Sequence, residues 1–223
     1  MVAIASSKTG RKAAKPRSPR VAAVAPSRVR RLKPEGCIVL PSINWKTYLR
    51  LDKAFGHDSR PGMRLNYLGG ELEIMTTSSD HERVKKIIGR CIEHFCDESD
   101  IWFSAQGQMT RQVAEDRAAE ADESYSFDRK NKQVGLVLEV CISSGGISKL
   151  ALYEALGHPE VWLWRKGKIE PHAWIDGAYR RVSKSTALPS IDIKLIEELS
   201  LWKDDCLAVR EYKRRLATKR TKH

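Results

Sequence analysis

Two acids and a lysine carry the chemistry that this chain could do. Glu139 sits at the centre of LVLEVCI, residues 136–142, between Leu138 and Val140. A carboxylate inside so apolar a run is costly to desolvate unless it is paired or binds a metal. Asp122 lies upstream in EADESYSF, where the two-residue period of a strand puts Asp122, Ser124 and Ser126 on one face. Lys149 lies downstream, on one helical stripe with Leu152, Tyr153 and Leu156. Two carboxylates and an ammonium on or beside buried strands are the parts of a metal-dependent phosphodiesterase. The acids would hold Mg²⁺, or Mn²⁺ in its place, leaving the ion several waters and a phosphate oxygen. The lysine would orient or help deprotonate the attacking water, or steady charge developing on the phosphate. Tyr153, one turn on, would hold the lysine or lie over a base. The plain alternatives are that a strand aspartate beside serines faces solvent and that a first-turn lysine snorkels. Glu139 is the residue those alternatives explain badly.

The elements that must position these groups follow from pattern. Residues 43–56 (INWKTYLRLDKAFG) predict a short amphipathic helix ending at Gly56. MRLNYLGGELEIM predicts two strands about a Gly69-Gly70 turn. Glu71 follows that turn, exposed and idle or else aimed at the carboxylate pair as a third acid. Ser79 to Glu98 predicts the strongest helix, with capping-box spacing between Ser79 and Glu82. Its apolar stripe runs Val84, Ile87, Ile88, Cys91, Ile92, Phe95, Cys96. His81 is in its first turn, where water is the expected neighbour. IWFSAQ, QMTRQV and EADESYSF predict strands, with an alternating-charge loop between Val113 and Ala121. A helix over Ile147–Leu156 closes at Gly157, and EVWLW onward reads as a meander with turns at Lys166-Gly167 and Asp176-Gly177. The chain from about Ile191 reads as helical, fraying into a basic tail. This order predicts an α/β (α+β) domain, a mixed central sheet flanked by helices.

Composition sets limits. The chain has 223 residues, 41% of them hydrophobic, enough for one core with length left over. Five cysteines without a C-x-x-C pair fit reduced core thiols and a cytoplasmic protein. No apolar run approaches membrane-spanning length. The formal charge of +12 is uneven: residues 1–36 carry +9 and residues 210–223 carry +6, leaving −3 for 37–209. We therefore divide the chain into a disordered basic segment (1–36), a folded body (37–202) and a basic C-terminal helix or tail (203–223). The basic ends suit a polyanion, DNA first, with Lys12, Lys15, Arg17, Arg20, Arg28, Arg30, Arg31, Lys33, Arg214 and Arg215 as phosphate contacts. A solubilising tail is the plain alternative, and an Arg-rich, acid-poor N-terminus is also the pattern of a transit peptide.

GGELEIM, SSDHERV, EADESYSF, LVLEVCISSG, KLALYEALGHPEVWLW and GAYRRV occur in that order. Together they resemble the Uma2-type endonucleases of bacteria, members of the PD-(D/E)XK nuclease superfamily. The resemblance spans about Asn44 to Leu201. It implies a restriction-endonuclease-like fold and a Mg²⁺-dependent DNA endonuclease. Apart from the resemblance, we expect no membrane partner, and a homodimer stays open. It makes Asp122 the motif aspartate, with Ala121 where proline is usual, and Glu139 the second acid. Cys141 stands where the superfamily pattern expects lysine, so Lys149 on the following helix is the lysine it implies. Glu71 and His81 match positions where the family tends to carry Glu and His. The competing expectation is a nucleic-acid-binding protein of the same fold that has lost turnover.

Overall fold

The apolar stripe of residues 79–98 and the buried run of 136–141 pack against each other, and the rest is arranged around that contact. The structure is a computed structural model that describes residues 35–56, 62–107, 110–113, 116–130, 133–143, 146–154 and 156–220. In chain order the elements are β1 (Gly36–Leu40), α1 (Trp45–Ala54), β2 (Met63–Leu68), β3 (Glu71–Thr76), α2 (Ser79–Glu98), β4 (Ser104–Ala105), β5 (Thr110–Val113), β6 (Arg117–Glu120) and β7 (Glu123–Ser126). Then come β8 (Leu136–Cys141), α3 (Lys149–Glu154), β9 (Glu160–Arg165), β10 (Lys168–Ile175), β11 (Ala178–Arg181), α4 (Ile193–Ser200) and α5 (Asp205–Arg220).

The strands form two sheets. One is antiparallel, in the order β1-β3-β2-β6-β5; the other, β11-β10-β9-β8-β7-β4, is mixed. Its one parallel pair is β8–β9, joined through α3. The α+β class with a mixed sheet flanked by helices therefore holds, and it is consistent with a restriction-endonuclease-like fold. Strand period two splits β8 between two layers. Leu136, Leu138 and Val140 join the core built on α2, with Trp162, Trp164 and the apolar faces of α4 and α5. Val137 joins a second core with Leu152 and Tyr153 of α3 and Val161 and Leu163 of β9. A third core places Leu65, Tyr67 and Leu72 against Tyr48 of α1.

Several expectations are corrected. The N-cap of α2 is Ser78 rather than Ser79: Ser78 is extended and its hydroxyl accepts from the His81 N–H at 3.1 Å. EADESYSF is not one strand. It bends at Ala121-Asp122, with β6 before the bend in the first sheet and β7 after it in the second. The charged loop predicted between Val113 and Ala121 contains β6, whose Ala118 and Ala119 are buried in pairing with β2 and β5. IWFSAQ keeps only the two residues of β4. The helical reading from about Ile191 holds, in two helices: α4, and α5, which packs on α2 with Ala208 and Tyr212 in the shared core and runs to Arg220. Strand β1 pairs with β3 along its whole length, so Gly36 and Glu35 belong with the body. Residues 1–34, with Lys12, Lys15, Arg17, Arg20, Arg28, Arg30, Arg31 and Lys33, lie outside the described residues. Among the described residues, no helix is long and apolar enough to cross a membrane.

Candidate active site

Glu139 lies on the α3 side of β8, one strand period from the buried Val137, and is 1% exposed. From α3, one turn apart, come the two groups that meet it. Tyr153 donates its hydroxyl to Glu139 Oε1, and Lys149 Nζ stands 3.6 Å from Glu139 Oε2. Tyr153 thus holds the acid rather than the lysine.

The partner that draws Lys149 inward comes from the other sheet. Lys149 Nζ donates to Glu73 Oε1 at 3.0 Å, with both side chains buried. Glu73 also accepts from Asn66 Nδ2 at 2.6 Å and from the Ile147 N–H at 2.9 Å. Glu71 is not part of the site. It is exposed at the turn end of β3, whereas Glu73, on the same face one period deeper, is buried. The sequence carried this signal, because ELEIM sets Glu71 and Glu73 on one face against Leu72 and Ile74. Only the strand's depth separates them, and that depends on where β1 and α3 pack.

Asp122 occupies the bend between sheets. Its Oδ2 accepts from the Val140 N–H at 2.8 Å, the amide next to Glu139, and from His81 Nε2 at 3.1 Å. The expectation that His81 faces water fails: it is fully buried, because the Ser78 cap turns the first helical turn onto the bend. Glu35, absent from the predicted site, adds a further carboxylate whose Oε1 is 3.7 Å from His81 Nε2. Its backbone N–H donates to the Ser143 hydroxyl at 2.7 Å. Nothing in the composition of residues 1–36 distinguishes this one acid among ten basic side chains.

The electrostatics follow from burial and pairing. Burial raises the Glu139 carboxyl, Lys149 and Tyr153 lower it, Asp122 and Glu73 raise it again, and the outcome is about 7. Burial would also raise Asp122, but the hydrogen bond and charge of His81 and the Val140 amide outweigh it, so its pKa is lowered. Burial would lower His81, yet Asp122, Glu82 and Glu35 push it up to about 10. Lys149 is raised by Glu139, Glu73 and Asp122 against its own desolvation. Burial raises Glu35.

Asp122 Oδ1 and Glu35 Oε1 are buried without a hydrogen-bond partner among the described residues. Among those residues no group of three or more His, Cys, Asp or Glu is arranged to hold a metal ion. Asp122 and Glu139, the first with an unsatisfied buried oxygen, are hard oxygen donors of the kind that an ion keeping most of its waters, such as Mg²⁺, takes. They do not fit Zn²⁺, which takes three or four N, S or O ligands.

The predicted residues Asp122, Glu139 and Lys149 therefore converge, His81 joins them, and Glu73 and Glu35 are added. Arg214 and Arg215 do not join them. Arg214 pairs with Glu211, and Arg215 with Glu211 and Glu198. Their helix lies along α2, with the Tyr212 ring against that of His94. At 1.5 Å per residue, His94 is about 20 Å along α2 from His81. The model of the Uma2 family, described as a putative restriction endonuclease, matches residues 45–209. No curated protein matches the chain.

Proposed function

The chain belongs to the Uma2 family, and from that premise we propose that it hydrolyses phosphodiester bonds in DNA with the help of a divalent cation. One observation carries the proposal: Lys149 Nζ is held 3.0 Å from Glu73 and 3.6 Å from Glu139, beside the backbone amide that fixes Asp122. A lysine offered from α3 thus reaches the acids that Cys141 cannot serve. Asp122 and Glu139 would hold Mg²⁺, which when bound supplies charge neutralisation at the phosphate and a more acidic water. His81 keeps Asp122 ionised and oriented, and Tyr153 does the orienting for Glu139. Glu73 fixes Lys149, whose ammonium orients the attacking water and opposes charge growing on the phosphate. Water adds to phosphorus, the bond to one ester oxygen breaks, and a phosphate monoester and a hydroxyl end result.

A second reading has its own observation. Lys149 is already engaged by two buried carboxylates, and Cys141 supplies no cation, which suits a DNA-binding protein without turnover. A supercoiled plasmid assay with Mg²⁺, Mn²⁺ and EDTA separates the two. Mg²⁺-dependent nicking by wild type, abolished in Lys149→Ala with DNA binding nearly intact, is the expected result. A wild type that cuts nothing across a broad substrate panel gives the second reading the field. If Lys149→Ala cuts as fast as wild type, the enzyme stands but the lysine has no role in it.

A further inference from the structure

A cavity of about 380 Å³ opens beside the site, with Glu73, Lys149, Cys141, Ser143, Arg165 and Lys166 among its walls. Its floor is acidic. Glu73 and Glu35 line it directly, and Asp122 and Glu139 lie close to Lys149 and His81. A phosphodiester entering this space is repelled unless cations meet it. Lys149 is shared between two buried carboxylates, so it acts on the phosphate where it stands, as charge grows there, and leaves the seating of the substrate to other cations.

Arg165 and Lys166 are differently placed. Arg165 ends β9 directly beside Cys141 in the parallel register, with its guanidinium near the thiol, and its side chain is exposed. Lys166 follows in a left-handed conformation at φ 49°, leading into Gly167. That turn is pinned, since a Cβ on Gly167 would come within 3.1 Å of the Leu201 side chain. Among the described residues neither cation is in an ion pair, and Arg165 has its hydrogen bond to Cys141. Both cations border an acidic cavity without a carboxylate of their own, so their charge can meet an anion that enters it.

We propose that Arg165 and Lys166 form a phosphate clamp that seats the substrate backbone in this cavity. Arg165 takes a phosphate through its planar fork, beside the position where Cys141 replaces a cation, and Lys166 acts as a point charge on the same or the neighbouring phosphate. The clamp rests on the nuclease reading for the identity of its ligand, and its test is independent of turnover.

The test is fluorescence anisotropy of the full chain with a short DNA duplex, Ca²⁺ replacing Mg²⁺, across a salt series. Arg165→Gln/Lys166→Gln is compared with Arg180→Gln/Lys184→Gln, which removes two exposed charges from outside the cavity walls. The clamp variant should weaken binding about tenfold or more and flatten the slope of log affinity against log salt by about 2. The comparison variant should leave the slope in place, and Arg165→Lys should retain most of it. Equal effects of the two double variants, or none from the first, overturn the clamp, as does a wild type that binds no duplex. If the binding difference holds but wild type cuts nothing, the clamp stands and the nuclease reading falls. If wild type cuts and the clamp variant binds and cuts like it, the reverse is true.

Discussion

Glu139 and His81 give the site its dependence on pH. The Glu139 carboxyl lies near 7 when folded against 4.5 ordinarily. The folded chain therefore holds that proton longer than the unfolded chain does, and the relative stability this provides is complete below 4.5 and lost as pH rises to 7. His81, near 10 against 6.5, contributes stability that is complete below 6.5 and lost as pH rises through 10. Both shifts make the metal-free protein less stable from pH 5 to pH 9. Removing the Glu139 charge should reverse its share. Glu139→Gln should stabilise the metal-free chain by about 1–3 kcal/mol at pH 8 and by little at pH 5, read from urea midpoints. A variant less stable than wild type at pH 8 would mean that Lys149 and Tyr153 compensate the buried charge in full.

Among the elements, the turn leading into α3 is the most exacting. Gly146 has φ 88°, and a Cβ there would lie 2.0 Å from Glu73 Oε2, the atom that accepts from the Ile147 amide. Gly146→Ala should cost about 2 kcal/mol or more in urea unfolding and should displace Glu73 from Lys149. Any nicking activity would then fall with it, while Gly177→Ala, at a similar φ with open space around it, should lose only the conformational part. The long elements were legible because one pattern rules each of them: α2 by its stripe, β8 by an apolar run that only Glu139 interrupts, the β2–β3 hairpin by its paired glycines. The bend at Asp122 was not, since EADESYSF alternates acceptably as a single strand and only its division between two sheets breaks it. Glu73 was missed and His81 placed in water for the same reason. Which residue of a polar face is buried depends on the neighbouring element, and periodicity names the face but not the depth.

At the scale of the whole molecule, the two basic ends are unequal. Strand β1 starts at Gly36, and Glu35 before it lies against the His81–Asp122 pair, so the ten Lys/Arg of residues 1–34 are attached at the edge of the candidate site. The cations of α5 are held on a helix about 20 Å away along α2 and are partly neutralised by Glu198 and Glu211. Deleting residues 1–34 should therefore weaken binding to duplexes of any sequence alike and flatten the salt slope strongly. Replacing Arg214 and Arg215 by glutamine should change it little; equal slopes for the deletion and wild type would show that the N-terminal segment meets no phosphate. The bend at Asp122 has a last consequence. Glu73 belongs to one sheet, Glu139 to the other, and Asp122 to the chain passing between them. The amide protons of Val140 and Ile147 are held along that seam by two of these acids, Asp122 and Glu73 respectively. They are thus built-in reporters of its opening: their exchange with deuterium should speed up together whenever the sheets part, and slow together when a cation draws the acids in.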